Sequence, residues 1–258
     1  MDIVRRPVLA YYGSKWRLAP KIISLMPPHK RYVEVFGGSA AVLLRKQKVP
    51  HEVYNDNYGE VVNFFRCLRD YPDELIRVLT LTPYSRKEWE ASKNDDKCTD
   101  TITRARRFYI LSWQSWRSEP REGKDTYSSW KRWSNGRTNC NFPPICEDLY
   151  AVADRLSHIL IDDQDFEEII NYYDSSDTVF YVDPPYLGHN YATQKGTEEF
   201  HLRLAESLVM CEGYVVLSAS ESTLYDDIYG SMGWKKISMS SRNVRGNKTT
   251  EVLWMNYS

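Results

Sequence analysis

The sequence predicts an α/β fold: a mostly parallel sheet with helices on both faces, plus a helical insertion over residues 60–147. Short apolar runs alternate with helically spaced segments over residues 1–59 and 148–258, which is typical of a two-sided sheet. The stretch between them has no clear strand pattern and holds most of the tryptophans, which favours a separate helical unit. We therefore expect one sheet domain built from residues 1–59 and 148–258, interrupted by this insertion.

The first part of the sheet domain contains two strand–turn–helix units. "RYVEVFGGSAAVLLRKQ" predicts a strand over Tyr32–Phe36, a turn at Gly37–Gly38 and a helix that begins at Ser39, whose hydroxyl suits an N-cap. "HEVYNDNYGEVVNFFRCLRD" predicts a short strand over Glu52–Tyr54 and then a helix to about residue 70. These units would supply the first two strands of the sheet.

The later segments continue the alternation. Helices are predicted in the insertion for PDELIRVLTLT, SRKEWEASKND and TDTITRARRFYILSWQSWRS. The expected order after the insertion is helix ICEDLYAVADRLSHI, strand LIDDQDFEEII, strand TVFYVDPPY, helix TEEFHLRLAESLVMC, strand YVVLSAS and helix TLYDDIYGSMG. The segments WKKISMS and EVLWMNY can pair as the last two strands across a basic loop.

The net charge of -1 conceals a segregation of charge along the chain. Residues 3–33 carry seven Lys or Arg and no acid, residues 101–140 carry nine against three acids, and residues 141–187 carry eleven acids against one Arg. Such blocks are expected on a protein that binds a polyanion, and scattered solvated surfaces are an equal alternative on charge alone.

Composition excludes several classes of protein. With 42% hydrophobic and 27% charged residues, the chain is typical of soluble globular proteins. No apolar run approaches a membrane span, and the start of the chain does not resemble a secretory signal. The five cysteines lack zinc-ligand spacing, so we expect reduced thiols in a cytoplasmic protein and no metal.

The turn at Gly37–Gly38 is a candidate for a cofactor site. Glycines between a strand and a helix let the backbone approach a ligand closely. Asp56 ends the next strand 19 residues after Gly37, and an acid at that spacing hydrogen-bonds ribose hydroxyls in open α/β folds. Together they indicate a nucleoside-bearing cofactor. A tight turn followed by a helix cap at Asp56 is the plainer alternative.

Asp165 and Phe166 follow the strand Ile159–Ile161. A carboxylate beside an aromatic ring can bind an adenine amino group and cover the adenine ring. A helix cap beside a core phenylalanine explains the same pair, and the pair taken alone favours this second interpretation.

The stretch "VFYVDPPYLG" ends a buried strand in a rigid corner, because neither proline can donate to a strand ladder. Asp183 and the carbonyl of Pro184 can both accept hydrogen bonds from one exocyclic amino group. Tyr186 offers a flat face on which a planar base can stack. An amino nitrogen oriented in this way suits methyl transfer to a base, and a surface Pro-Pro loop is the structural alternative.

"DPPY" preceded by "YVEVFGGSAAVLL" resembles the amino-methyltransferases that act on DNA. The order of glycine turn, insertion and DPPY is similar to the alpha-class DNA adenine-N6 methyltransferases, the Dam-like D12 group. "LAYYGSKWRLAPKI" matches that group's aromatic-x-G-x-K motif, and "VVLSASESTLYDDIY" resembles the strand and helix after DPPY. The resemblance implies a Rossmann-like methyltransferase sheet, base flipping in double-stranded DNA of a bacterium or phage, and S-adenosylmethionine as methyl donor.

The resemblance also implies roles for individual residues. Tyr11 and Lys15 would lie over the methionine part of the cofactor, Asp56 would hold its ribose, and Asp165 with Phe166 would hold its adenine. The cofactor pocket would further contain Glu34, Phe36, Gly37, Gly38 and Ser39, with Asp183 at its boundary. The target base would be held by Asp183, Pro184, Pro185 and Tyr186.

The insertion departs from the group that reads GATC, because "LSWQSWRSEPREG" lacks that group's Asn-Gly segment. The recognition sequence is therefore left open. Candidates for phosphate or guanine contacts and for stacking or wedging at DNA are Arg117, Arg121, Trp130, Lys131, Arg132, Trp133 and Arg137. Trp113 and Trp116 also belong to this region, and for Trp113 we favour a core position.

The sequence predicts an adenine-N6 DNA methyltransferase, either solitary or part of a restriction–modification system. Cytosine-N4 methylation, methylation of an RNA or protein amide, and a non-catalytic DNA-binding homologue are the alternatives. A metal nuclease built on Asp162, Asp163, Asp165 and Asp183 is a more distant one.

Overall fold

Seven strands form one sheet within the part of the chain that the computed structural model describes: residues 4–93, 98–116, 127, 129–131, 145–189, 196–242 and 248–258. The strands are β1 (Arg31–Glu34), β2 (His51–Asn55), β3 (Ile159–Asp162), β4 (Thr178–Val182), β5 (Tyr214–Ala219), β6 (Lys235–Arg242) and β7 (Lys248–Met255). Their order in the sheet is β3-β2-β1-β4-β5-β7-β6. The first five are parallel, and β7 runs antiparallel to β5 and β6.

Helices precede and separate these strands. They are α1 (Ala19–Ile23), α2 (Gly59–Asp70), α3 (Pro72–Thr80), α4 (Arg86–Lys93), α5 (Thr101–Gln114), α6 (Ile145–Leu156), α7 (Phe166–Tyr173), α8 (Glu198–Val209) and α9 (Thr223–Tyr225). A turn of π-helix, Asp226–Gly230, continues α9. The predicted two-sided α/β fold is confirmed.

Each face of the sheet packs against its own apolar layer, because successive strand side chains point to opposite faces. Tyr32 of β1 lies in one core with residues of α2, α3, α5 and α6. Its neighbour Val33 lies in the other core with residues of α7, α8 and α9. This double coverage explains why β4 is buried at all five positions and has no polar face.

The helix predicted to begin at Ser39 is wrong. Residues 38–46 form turns, and Ala40 has a left-handed backbone angle, φ 54°. The amide of Leu43 donates to Oε2 of Glu34 (2.8 Å), and its carbonyl accepts from Arg155 (3.0 Å). Side chains therefore satisfy backbone groups that a regular helix would have paired internally.

Other boundaries moved less. The strand predicted for LIDDQDFEEII ends at Asp162, and its second half is α7, because Asp165 caps a helix there. β1 ends at Glu34 and not at Phe36. Helix α2 contacts β3, α5 and α6, so it packs on the sheet as well as on the inserted helices. The division at residues 60–147 stays a prediction.

Candidate active site

The candidate site lies where the sheet changes direction. The chain moves outward from β1 to β2 and β3, then returns to place β4 on the other side of β1. Ligands of open α/β sheets bind outside the carboxyl ends of the strands at such a switch point. The glycine turn follows β1 and the Asp183 corner follows β4, so the fold brings these two motifs to the same place.

A buried ion pair occupies the Asp183 corner. The ammonium of Lys15 donates to Oδ1 and Oδ2 of Asp183 at 2.7 and 2.8 Å and also to the carbonyl of Gly13 at 3.0 Å. The side chains of Lys15 and Asp183 are 7% and 19% exposed. The fold thus joins the N-terminal motif to the corner across 168 positions of sequence.

Burial and charge set the protonation of this pair. Burial raises the pKa of Asp183, the charge of Lys15 lowers it, and the charge of Glu251 raises it. The resulting pKa of Asp183 is about 6. Burial lowers the pKa of Lys15, but the carboxylates of Asp183 and Glu251 outweigh burial and raise it. At neutral pH, Asp183 is therefore an anion and Lys15 a cation.

Tyr186 is held at two places. The Lys15 ammonium lies 5.0 Å from the centroid of the Tyr186 ring, and the Tyr186 hydroxyl donates to Oε1 of Glu251. Pro184 is buried at the corner. Burial lowers the pKa of His201 in α8 to about 4, although the Pro185 carbonyl opposes this shift. The corner thus has a fixed aromatic ring beside its carboxylate.

The glycine turn is packed against two tyrosines. A Cβ added at Gly37 would lie 2.2 Å from the ring of Tyr54, and one at Gly38 would lie 3.1 Å from the ring of Tyr11. Gly38 also has a left-handed φ of 48°. A side chain at either position would displace a ring or strain the backbone, so the turn requires glycine twice.

Asp56 ties the glycine turn to β2. Its Oδ2 accepts from the amide of Gly38 at 2.7 Å, and its Oδ1 accepts from the amide of Tyr58 at 2.8 Å. Burial raises the pKa of Asp56 to about 6, although both amides lower it. Each carboxylate oxygen accepts one amide here and has a further lone pair with which to accept a hydroxyl.

Glu34 and Ser39 complete the predicted cofactor pocket around this turn. Oε2 of Glu34 accepts from the hydroxyl of Tyr32 (2.7 Å) and the amide of Leu43 (2.8 Å). Burial raises the pKa of Glu34 to about 8, so the side chain is mostly protonated at neutral pH. Ser39 is buried, and its hydroxyl donates to the hydroxyl of Ser14. It does not cap a helix.

Asp165 and Phe166 have clear packing roles. Asp165 caps α7 by accepting from the amide of Glu167 at 3.0 Å. Phe166 is 2% exposed, and its ring contacts the rings of Phe36 and Phe200 at centroid distances of 5.8 and 5.3 Å. The cap and the core phenylalanine, the plainer alternative, are thus present, and cofactor binding by either residue stays a prediction.

Trp130 packs within the described part of the insertion. Trp130 donates to Oε1 of Gln114 at 3.3 Å, and Arg86 lies 5.3 Å from its ring centroid. Lys131 joins the same unit through its backbone, whose amide donates to Gln114 and whose carbonyl accepts from Tyr84. Arg117, Arg121, Arg132, Trp133 and Arg137 lie outside the described residues.

Trp113 and Trp116, near the end of α5, have different surroundings. The indole of Trp113 donates to the carbonyl of Val8 at 3.0 Å, which anchors α5 to the segment that leads into Tyr11 and Lys15. Trp116, beyond the end of α5, is 54% exposed. The core position expected for Trp113 agrees with this contact.

Comparison with known proteins decides the family. The sequence model of the D12 class N6 adenine-specific DNA methyltransferases matches residues 11–242 of the chain. The chain belongs to this family. A type II methyltransferase of Lactococcus lactis subsp. cremoris, M1.LlaDCHI, is 28% identical over 283 aligned residues, which cover 98% of this chain and 95% of the relative.

Membership in the D12 class confirms the predicted reaction, adenine-N6 methylation of DNA. Cytosine-N4 methylation and the non-catalytic alternative are thereby set aside. Within the described ranges, no three His, Cys, Asp or Glu side chains are grouped as metal ligands, and no helix there is long and apolar enough to cross a membrane.

Sequence reasoning missed two residues that the structure places beside Tyr186 in the candidate site. Glu251 at the start of the buried part of β7 accepts from Tyr186, and it also accepts from Ser218 of β5 at 2.5 Å. A lone acid before the apolar run VLWM was a weak signal of such a role. Ser218 had none, because small polar residues are ordinary in strands.

Proposed function

We propose that this D12-class enzyme uses S-adenosylmethionine to methylate N6 of an adenine that is flipped out of double-stranded DNA. The observation that carries the proposal is the corner itself: an ionised Asp183 held by Lys15, with the Tyr186 ring beside it, at the switch point of the sheet. Acceptor and stacking surface then meet where a nucleoside cofactor is expected.

The residues around the glycine turn fit S-adenosylmethionine. Gly37 and Gly38 let the turn pack directly against the rings of Tyr54 and Tyr11, and Asp56 has lone pairs for ribose hydroxyls. The side chains of Asp56 and Asp183, both ionised at neutral pH, suit a cofactor with a positive sulfonium and amino group. We propose that the pocket is formed by Tyr11, Lys15, Glu34, Phe36, Gly37, Gly38, Ser39, Asp56, Asp165, Phe166 and Asp183.

We propose that the target base is oriented by Asp183, Pro184, Pro185 and Tyr186. Tyr186 stacks on the base, while Asp183 and the carbonyl of Pro184 accept the two N–H bonds of N6. Lys15 keeps Asp183 ionised and fixes the direction of its oxygens. This orientation removes the N6 lone pair from conjugation with the ring and aligns it for reaction.

When bound, S-adenosylmethionine would supply an electrophilic methyl group. Attack by the N6 lone pair would form the new C–N bond and break the methyl–sulfur bond, which would release S-adenosylhomocysteine. The amino group becomes acidic as positive charge develops on it, and its proton then passes to water. Asp183 acts by orientation and charge, so it does not need to be a strong base. No metal takes part in the proposal, because the electrophile carries its own positive charge.

The insertion is proposed as the DNA-reading unit over residues 60–147, next to a catalytic domain of residues 1–59 and 148–258. Phosphate and base contacts are assigned to Arg117, Arg121, Trp130, Lys131, Arg132, Trp133 and Arg137, with duplex DNA as substrate. Flipping a base costs a few kcal/mol, which contacts to the backbone offset. The Lactococcus relative is a type II methyltransferase, and we extend restriction–modification and a cytoplasmic location to this chain.

A nucleoside digest tests the proposal directly. Unmethylated duplex DNA is incubated with the protein and S-adenosylmethionine, hydrolysed and analysed by mass spectrometry. N6-methyladenine that depends on the cofactor supports the proposal, and sequencing of the modified sites then gives the recognition sequence. Product on single-stranded DNA alone, or no product with the cofactor bound, contradicts it.

A further inference from the structure

Glu251 is a buried acid that the proposed mechanism does not use. It lies on β7, its side chain is 9% exposed, and its Oε1 accepts from the Tyr186 hydroxyl and from Ser218 Oγ. The ammonium of Lys15 lies 3.6 Å from the same oxygen. A carboxylate is costly to bury, so its retention among these partners calls for an explanation.

The position of Glu251 determines the charge of the corner. Lys15 lies between two carboxylates, 2.7 Å from Asp183 and 3.6 Å from Glu251. Two anions and one cation leave one net negative charge in these three side chains. Glu34 adds little to it at neutral pH, because burial raises its pKa to about 8.

Glu251 also determines the freedom of the Tyr186 ring. The backbone of Tyr186 follows the two prolines of the corner, and the opposite end of its side chain is bound to Glu251. A ring held at both ends offers a stacking surface whose orientation is set before a base arrives. Preorganisation of this kind contributes to rate without a chemical step of its own.

We propose that Glu251 is a positioning residue of the target-base pocket, which fixes Tyr186 for stacking and holds the negative charge that favours cationic N6 in the transition state. The inference rests on the roles proposed above for Asp183 and Tyr186. It adds a residue from the antiparallel strand β7, 68 positions after Asp183 in the sequence.

The test compares Glu251→Gln with Tyr186→Phe on duplex DNA that carries the mapped site. Glu251→Gln keeps size and an acceptor but removes the charge, whereas Tyr186→Phe keeps the charge but removes the hydrogen bond. We expect single-turnover methyl transfer to fall about 10- to 100-fold in Glu251→Gln, with the Kd of S-adenosylhomocysteine within twofold of wild type. Thermal unfolding and 2-aminopurine fluorescence at the target base are followed in parallel.

The pH profile separates positioning from a purely structural role. The groups that face Asp183 are Lys15, Glu34, Tyr181, Tyr186 and Glu251. Because the charge of Glu251 raises the pKa of Asp183, the acidic limb of the single-turnover rate is expected near pH 6 in wild type and at lower pH in Glu251→Gln. Tyr186→Phe should be slower than wild type with its limb unmoved.

Two results overturn the inference. One is a wild-type rate in Glu251→Gln, and the other is a slower rate with an unmoved acidic limb. If wild-type protein itself forms no N6-methyladenine, the proposed function fails as well. If wild type is active and Glu251→Gln matches it, only the role of Glu251 fails.

Discussion

Two buried ion clusters lie at opposite ends of the central strands. The corner cluster is Lys15, Asp183 and Glu251, beyond the carboxyl end of β4. The core cluster is Lys46, Glu52 and Arg155, at the amino end of β2. In each cluster a lysine lies near a tyrosine ring, at 5.0 Å from Tyr186 and 4.6 Å from Tyr32.

The clusters differ in the sign of their net charge and in their exposure to solvent. The core cluster has two cations for one acid, and its side chains are 2–8% exposed. Lys46 and Arg155 together hold both oxygens of Glu52, at 2.5 to 2.8 Å. The corner cluster has two acids for one cation, and its Asp183 is 19% exposed. Both clusters bury charge, but of the two the corner cluster alone combines an excess of acids with a partly exposed carboxylate, the two properties that the proposed methyl transfer uses.

The comparison is tested most severely by Asp183→Ala. We expect methyl transfer to fall at least about 10³-fold, because N6 loses its charged acceptor, a loss of about 4 kcal/mol of transition-state stabilisation. The Kd of S-adenosylhomocysteine should change by less than about fivefold, and both are measured by radiolabel transfer and calorimetry. Asp177→Ala is the matched control, because Asp177 precedes the same strand β4 and pairs at the surface with Lys30. Transfer near the wild-type rate in Asp183→Ala would remove the corner from the mechanism.

The core cluster predicts a large effect of the opposite kind. Glu52→Gln leaves Lys46 and Arg155 buried without their carboxylate, so we expect the free energy of unfolding to fall by about 3–5 kcal/mol. The transfer rate per folded molecule should stay within twofold of wild type. Asp163→Asn, which breaks an exposed pair with Arg66, should cost about 0–1 kcal/mol in the same urea titration. If Glu52→Gln instead lost methyl transfer while its free energy of unfolding stayed unchanged, the core cluster would act in the reaction and would not differ in function from the corner cluster.

The sequence predicted the candidate site only in part. Asp183, Tyr186, the glycine turn and Asp56 were singled out because each follows a strand, and the carboxyl ends of parallel strands meet at one edge. The pairing of Lys15 with Asp183 and the presence of Glu251 were not predicted. They depend on which strands are neighbours in space, and β7 returns beside β5 from the far end of the chain.

The wrong helix prediction at Ser39 has the same physical cause. A helix was expected there because a serine after the glycine turn suits an N-cap, but Glu34 and Arg155 bind the backbone of Leu43 from other elements. Tertiary partners override the local pattern there.

Trp130 was assigned to DNA because its segment has no helical period, and this assignment stays a prediction. Its indole donates to Gln114 and lies near Arg86, so the ring also has a packing role.

Glu34 interacts electrostatically with one residue of each cluster, Asp183 and Lys46, and it makes the stability of the protein depend on pH. Burial raises its pKa to about 8; the Tyr32 and Leu43 hydrogen bonds oppose the rise, Asp183 adds to it and Lys46 opposes it. A folded-state pKa above the unfolded value means that the native protein binds the extra proton, so stability falls as pH rises towards 8. Relative to Glu34→Gln, which cannot titrate, wild type should lose about 1.4 kcal/mol of unfolding free energy per pH unit, or about 2.7 kcal/mol between pH 5.5 and 7.5.

Urea titrations of both proteins at these two pH values measure the difference. Glu34→Gln retains an acceptor for Tyr32 and Leu43, so its stability near pH 5.5 should be close to that of wild type. A constant difference between the two proteins across this range would mean that Glu34 is ionised in the folded protein. The corner would then carry more negative charge than its three side chains supply.

The smallest expected effect is that of Asp165→Ala, which tests whether the carboxyl end of β3 belongs to the cofactor site. Asp165 follows β3 at the same carboxyl edge as Asp183, and it already caps α7 through Glu167. Asp165→Ala should cost about 1 kcal/mol of stability for the lost cap. If Asp165 also binds the adenine of the cofactor, the Kd of S-adenosylhomocysteine should rise about 2- to 12-fold, the value of one hydrogen bond.

Asp100→Ala supplies the matched control, because Asp100 caps α5 through an equivalent bond to the amide of Thr103 (2.7 Å). Urea titration should give similar stability losses for the two variants, since each removes one cap. Calorimetry should then show weaker cofactor binding for Asp165→Ala alone. Equal affinities would make Asp165 a cap and nothing more. Asp56, after β2, would then be the outermost acid of the sheet edge that takes part in the proposed reaction. β3, like the core cluster, would only support the site.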